Sequence, residues 1–435
     1  MKRLLLKGGR LIDPEGGIDG LYDIVVMGGR VASIKPSSAP PKADGGSLET
    51  IEGWDVVECN GLIVIPGLID LHVHLREPGE EYKETIQTGL AAAAAGGVTT
   101  VFCMPNTKPV NDNEAITRFI KKQAEGSGVN VHPVGAISAG LKGETLSNMA
   151  ELKESGCLAI SDDGRPVMDA SLMRRALEYS KAFGLTVISH AEDVSLSDGG
   201  VMNEGAVSTR LGLKGVPSQA EEVMVARDIF LSELTKGKLH IAHVSAKGSV
   251  ELIRAAKKRG VKVTAEATPH HLTLTDEAVI GYDTDFKMNP PLRTKEDVLA
   301  LREGLKDGTI DCVATDHAPH SSVEKDVEFD NASNGVVGLE TSLTIMLSLV
   351  NQGVFTLKDV IRFMSVNPAK VMAIAGGTLK VGSVADITLV DLEKKWIVEP
   401  SSFKSKGRNT PFKGKEFKGK VVKTIAAGNV IYEEK

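Results

Sequence analysis

Between Gly67 and Ile374 the chain repeats one pattern: a short run of β-branched and apolar residues, a loop with polar, Gly or Pro residues, then an amphipathic or alanine-rich stretch. Eight of the apolar runs read as strands: "LIDLHVH", "VTTVFCMPN", "NVHPVGAIS", "CLAISDD", "LTVISHAED", "KLHIAHVS", "KVTAEATPHHL" and "IDCVATDHAPH". The stretches between them read as helices, among them "EYKETIQTGLAAAAAGG", "DASLMRRALEYSKAFG", "PSQAEEVMVARDIFLSEL", "KGSVELIRAAKKRG" and "KEDVLALREGLKDG". Several close on Gly with Lys or Arg in the last turn, as helix C-termini favour. Eight strand-helix repeats predict an α/β fold, the (β/α)8 TIM barrel, whose chemistry sits at the C-terminal ends of the strands.

The two ends of the chain follow a different pattern. Residues 1–65 and 375–435 show short strands separated by Gly turns and no helical period. Each end is too small to close a core alone, so the expectation is one composite β-sandwich domain built from both termini beside a barrel over residues 66–374. Within the first end, "KPSSAPPKADGGSLET" reads as a surface loop.

Composition narrows the class. With 435 residues, 42% hydrophobic, 25% charged and a formal net charge of −6, the chain has the make-up of a soluble globular protein, without the basic patch that nucleic acid requires. The apolar stretches "GLIVIPGLIDL" and "GLAAAAAGGVTTVF" are shorter than the ~20 residues of a membrane helix and are broken by Gly or Pro. The start, "MKRLLLKGGRLID", has too short an apolar run for a signal peptide, so the cytoplasm is the expected compartment. Cys59, Cys103, Cys157 and Cys312 lie far apart with no CxxC pair, which predicts buried free thiols rather than disulfides or a thiolate zinc site.

Polar residues then stand out at the strand ends. His72 and His74 are two apart on the first strand, so both point the same way. An HxH pair alone is a weak signal. Strand four, however, ends in Asp162-Asp163, strand five in His190, strand six in His243 and strand eight in Asp316. His72, His74, Asp163, His190, His243 and Asp316 together form the donor set of a two-metal imidazole-carboxylate site. Nitrogen and oxygen without thiolate favours zinc, with manganese or cobalt as substitutes. Alternation lets only one of Asp162 and Asp163 face the metals and does not say which.

In this order, "DLHVHLREPG", "MPNT", "SDDG", "SHAED", "HIAHVS", "MNPPLR" and "ATDHAPH" resemble dihydroorotase of the bacterial class I type, in the amidohydrolase superfamily. The resemblance extends to "VADITLVD" and "RNTPFKGKEFKGKVVKTIAAG" and so covers nearly the whole chain. It implies reversible hydrolysis of the ring amide of (S)-dihydroorotate to N-carbamoyl-L-aspartate by a zinc-activated hydroxide, the third step of pyrimidine synthesis. It also implies two Zn2+ per subunit: His72 and His74 on one, His190 and His243 on the other, Asp163 bridging, and Asp316 as ligand and catalytic proton carrier. Arg76 and Asn106, helped by His320, would hold the substrate carboxylate. His74, Asn289, Asn334 and Gly335 would complete the substrate site. A homo-oligomer and association with aspartate transcarbamoylase are further expectations. Many superfamily relatives bridge their metals with a carboxylated lysine on strand four; "CLAISDDG" has no lysine there, as in the class I pattern.

The remaining histidines take plainer readings. His132 lacks a partner motif and reads as a core or loop residue, His240 as structural and facing away from His243, and His317 as having the wrong parity for a ligand beside Asp316. His270 and His271 read as supports or loop anchors outside the metal set. Two rival functions share the pattern. An allantoinase or dihydropyrimidinase would keep the barrel but not need Arg76 and Asn106 and would usually carry the strand-four lysine. A non-catalytic partner of aspartate transcarbamoylase would have lost metal ligands, and here every expected ligand is present.

Overall fold

The computed structural model describes residues 3–37, 48–51 and 53–434; most of the expected surface loop, residues 38–47, lies outside the described residues. All eight expected barrel strands are present: Leu68–Val73, Val98–Cys103, Asn130–Pro133, Ala159–Ser161, Thr186–Ser189, Leu239–Ile241, Val263–Ala267 and Cys312–Val313. They run parallel in one group of three and one of five. Isolated parallel bridges, Gly135 to Ile160 and Val73 to His317, join the groups and close the ring. Ile69, Phe102, Ala159, Ile188 and Cys312, from five different strands, share one apolar cluster, as residues filling the middle of a barrel do.

The expected helices form between the strands, including Ile86–Ala95, Ala170–Phe183, Gln219–Thr235, Lys247–Lys258 and Lys295–Lys306. Their starts are specified locally. Thr294 caps the helix Lys295–Lys306 through a reciprocal pair with Asp297, and Asp169 caps Ala170–Phe183. Gly184 ends the latter in a left-handed conformation.

Both termini enter one nine-stranded sheet. The C-terminal strand Ile387–Ile397 pairs antiparallel with Ile63–Pro66, which pairs parallel with Arg3–Asp13. Leu4, Leu6, Leu11, Ile24 and Val57 from one end pack with Leu379, Ile387, Leu389 and Ile425 from the other. Neither end could bury these side chains without the other. Only Gly67 separates this sheet from the first barrel strand, and a Cβ there would lie 2.3 Å from Thr99 Oγ1, so the crossing needs a residue with no side chain. No helix among the described residues is long and apolar enough to cross a membrane. The four cysteines are free and buried, with the Cys59 and Cys103 thiols pushed up to about 12 by burial.

Candidate active site

His72 lies within the first barrel strand, but most of the residues of interest lie on the loops that follow the strands. The fourth, sixth and eighth strands end at Ser161, Ile241 and Val313, before Asp163, His243 and Asp316. His243, Asp316 and Arg76 all have left-handed backbones, with φ of 32°, 49° and 62°. For residues other than Gly this costs on the order of 1–3 kcal/mol each and persists where surrounding structure holds it. The pairing of the first two strands also shifts register between Asp70 and Val73, around His72.

Two groups of donor atoms result. In His72, His74 and Asp163, and again in Asp163, His190 and His243, the candidate ligand atoms lie within 4.8 Å of one another. Asp163 belongs to both. Its Oδ1 is 3.2 Å from His72 Nε2 and 3.5 Å from both His190 Nδ1 and His243 Nε2, and its Oδ2 is 3.4 Å from His74 Nε2. Asp316 Oδ1 lies 3.1 Å from His74 Nε2 and 3.6 Å from His72 Nε2. Asp162 points elsewhere: its carboxylate accepts from the backbone N–H groups of Ile137 and Ser138 and from the Ser138 hydroxyl.

These residues fit a pair of divalent cations. Among the described residues His72 Nε2 and Asp163 Oδ1 are buried without a hydrogen-bond partner, and His190 Nδ1 faces His243 Nε2 at 2.9 Å, which two lone pairs tolerate only with a proton or cation between them. The far side of each ring is also fixed. His72 Nδ1 is 2.8 Å from Glu266 Oε1, His74 Nδ1 is 2.9 Å from Asn106 Oδ1, and His190 Nε2 is 3.1 Å from Glu192 Oε2, so each ring turns its other nitrogen toward the cluster.

Burial disfavours charge on every group here, and pairing overrides it at several. Against burial, Asp163 and Glu192 push His190 up to about 10, while His240 and His72 hold Glu266 down to about 2. Asp163 lies well below the usual carboxylate range for the same reason, and burial lowers His74. Metal uptake must therefore displace protons.

Above the cluster is a cavity of about 190 Å3. His74, Asp163, His190, His243 and Asp316 line it, and His72 lies beneath. Of the residues expected at the substrate, Arg76, Asn106, Asn289, His320, Asn334 and Gly335 all reach its wall. Arg76 is buried, donates from Nε to Pro319 O (3.2 Å), and forms no ion pair among the described residues. His320 Nε2 donates to Asn334 O at 2.8 Å, so its 3.3 Å approach to Arg76 Nη2 brings two donors together rather than making a hydrogen bond. Both terminal nitrogens of the guanidinium stay available to an anion. Gly335 is held through its backbone. Its N–H donates to Lys287 O and its carbonyl accepts from Asn409 and Lys325. With φ 139° and a notional Cβ only 2.7 Å from Ala318 Cβ, it contributes a wall without a side chain.

His240 corrects the expected orientation. It does not face away from the site: Nε2 lies 3.1 Å from Glu266 Oε2, on the carboxylate that also holds His72. Alternation fails because the strand ends at Ile241 and the left-handed turn at His243 reverses the side-chain direction. His317 turns away from the cluster, with Nε2 3.4 Å from Glu84 and Nδ1 accepting from Gly338 N. His132 stacks on Phe102, and His271 bridges Thr268 and Pro290 O. Glu266, Glu192 and Asn409 escaped the sequence reading. For the first, the available signal was a single acid inside the apolar strand "VTAEA".

The chain resembles many known proteins in sequence and many solved structures in fold. A family model described as "Dihydro-orotase-like" matches residues 61–249. A protein named dihydroorotase from Geobacter metallireducens is 58% identical over 432 residues, covering 99% of both chains. Another of that name from Syntrophus aciditrophicus is 52% identical, covering 99% of this chain and 100% of its own. Among solved structures, L-hydantoinase (dihydropyrimidinase) from Arthrobacter aurescens superposes with a TM-score of 0.86 at 26% identity, over 100% of this chain and 96% of its own. Dihydropyrimidinase from Brevibacillus agri gives 0.82 at 24% over 99% and 95%, a likeness of fold.

Proposed function

The chain belongs to the dihydroorotase family, and from that premise we propose that it is a zinc-dependent cyclic amidohydrolase interconverting (S)-dihydroorotate and N-carbamoyl-L-aspartate in pyrimidine synthesis. The observation that carries the substrate choice is Arg76: a buried guanidinium without a carboxylate partner among the described residues, facing the cavity. A buried cation in that state is costly until an anion pairs with it, and its planar fork matches a carboxylate bidentately. A hydantoin or dihydrouracil ring has no carboxylate to offer there.

His72 and His74 would hold one zinc and His190 and His243 the other, with Asp163 shared and Asp316 on the His74 side. When bound, the pair lowers the pKa of water and polarises the amide carbonyl. The chain's own groups supply the rest. Arg76 and Asn106 Nδ2 bind the ring carboxylate, and Asn106 Oδ1 meanwhile keeps His74 in its ligand tautomer. His320, kept neutral by burial and by Arg76, which together push it down to about 3, leaves the carboxylate's charge to Arg76. Asn289, tied to Glu192 at 2.8 Å, presents its remaining amide oxygen to the ring, and Asn334 and Gly335 close the wall. Asp316 accepts the proton of the attacking water and returns it to the ring nitrogen, without which the amine leaves poorly.

The same reading keeps residues 1–65 with 375–435 as one domain and 66–374 as the other, and assigns the enzyme to the cytoplasm, consistent with four free buried cysteines. It also includes a homo-oligomer and association with aspartate transcarbamoylase. Val223, Phe230 and Leu234 on the helix Gln219–Thr235 are 48%, 66% and 61% exposed and support self-association. Light scattering and co-purification test these two points. Metal analysis paired with a dihydroorotate assay tests the main one: two zinc ions per chain and turnover in both directions are expected. Turnover of hydantoin without dihydroorotate would refute it.

A further inference from the structure

Lys325 follows His320 by one short helical turn, Ser322–Lys325, and its side chain runs inward instead of out to solvent. Its ammonium donates to three backbone carbonyls: Ser333 O at 2.9 Å, and Gly335 O and Lys287 O at 3.3 Å each. It forms no ion pair to a carboxylate among the described residues. The three carbonyls belong to two segments that face the cavity, one leading to Asn289 and the other carrying Asn334 and Gly335. Among the described residues the other ties between those segments here are the backbone hydrogen bond from Gly335 N to Lys287 O at 3.0 Å and the Lys287 ammonium on Asp330 O at 2.9 Å. An ammonium has three N–H donors and no acceptor, which matches three carbonyls, whereas a neutral amine has one donor too few.

Building on the dihydroorotase reading, we infer that Lys325 is a positioning residue for the substrate ring: its charged form ties the Asn289 and Asn334–Gly335 segments together and so sets the width of the cavity. Nothing in this network reaches the reacting amide, so the effect falls on ground state and transition state alike and appears in KM rather than kcat.

The geometry makes the device sensitive to pH. Burial pulls the Lys325 ammonium down to about 8, with Lys287 adding to the shift and Asp283 and Asp285 opposing it. Asp326 on its own turn, and Lys406, Arg408 and Lys413 from the C-terminal segment, line the groove on its outer side. Asp285, raised to about 6 by burial beside Asp283, is already ionised near 8. A step near that pH that is lost in a Lys325 variant belongs to Lys325. Above it one carbonyl loses its donor and the clamp loosens.

The test uses the zinc-loaded full chain and its Lys325→Met variant, with kcat and KM for dihydroorotate measured from mildly acidic to alkaline pH and melting followed in parallel. In the wild type, KM should climb as pH passes about 8. In the variant it should be raised about tenfold at neutral pH, with kcat within about threefold and no further climb. A folded variant whose KM matches the wild type, or climbs equally with pH, overturns the inference. Should the variant fail to fold, the wild-type profile decides alone: a KM flat through that pH overturns it. Absence of any wild-type turnover would instead remove the dihydroorotase reading on which the inference rests.

Discussion

Replacing Arg76 by Met removes the guanidinium while keeping most of the side-chain volume. Two charge-assisted hydrogen bonds to the substrate carboxylate would be lost, each worth about 1.5–3 kcal/mol. Part of that is offset, because the variant no longer carries a desolvated cation in the free enzyme. A net loss of about 3–4 kcal/mol corresponds to a fall in kcat/KM of roughly two to three orders of magnitude. Stability should change little: among the described residues the Arg76 side chain makes one hydrogen bond, to Pro319 O, worth about 1 kcal/mol. Zinc content should not change, since Arg76 contacts none of the candidate ligands through a hydrogen bond. Steady-state kinetics with dihydroorotate, alongside metal analysis and thermal melting, separates these effects. A neutral ring such as dihydrouracil supplies the control, since its turnover has no carboxylate interaction to lose. Should Arg76→Met keep kcat/KM for dihydroorotate within a factor of a few, the anion-binding argument fails. Equal losses for charged and neutral rings would also refute it, by showing that the side chain shapes the cavity without reading charge.

Glu266→Gln should weaken zinc binding about 10–100-fold, measurable by chelator competition, because one carbonyl oxygen cannot accept from both His72 and His240 as the carboxylate does; unchanged affinity would show that the ring orientations are set elsewhere. Glu340 is pushed up to about 7 by burial, against backbone donors at Lys404 and Ser405. The folded state thus holds a proton that the unfolded chain releases near its ordinary value of 4.5, and stability falls as pH rises from there to about 7. The loss is of order 1–3 kcal/mol, and Glu340→Gln should flatten melting temperature against pH over that window; an equally steep curve in the variant would count against it. Ring closure consumes a proton, so cyclisation should be favoured at lower pH and hydrolysis at higher pH, and parallel profiles for the two directions would contradict the proposed reaction.

How much of this was legible in the sequence depends on where regular structure stops. The eight strands were readable because each is a compact β-branched run between turn signals, and the composite terminal sheet because neither end had enough apolar residues to close alone. Alternation works only inside a strand. The fourth strand ends at Ser161, before both Asp162 and Asp163, so period two could not choose between them. In the structure the choice is made by Ser138 and Ile137, whose donors claim Asp162. The same limit explains His240: its direction relative to His243 depends on a left-handed turn beyond the strand, which no local pattern announces.

The supporting groups were hidden for a different reason. Glu266 matters because it lies between His72 and His240, residues 194 and 26 positions away. Asn409, near the C-terminus, donates to Ala318 O and Gly335 O and accepts from His320 N. Lys325 looks from sequence like any lysine at the end of a surface turn. Candidate metal ligands can be read from residue type and position on the barrel, because the chemistry itself demands those types, whereas the role expected of Arg76 came through the family resemblance. The groups that hold them answer to a tertiary arrangement, and almost any polar side chain of the right reach can serve. Substitutions among these supports should therefore separate the two levels, shifting metal affinity, KM or pH response while the reaction itself stays the same.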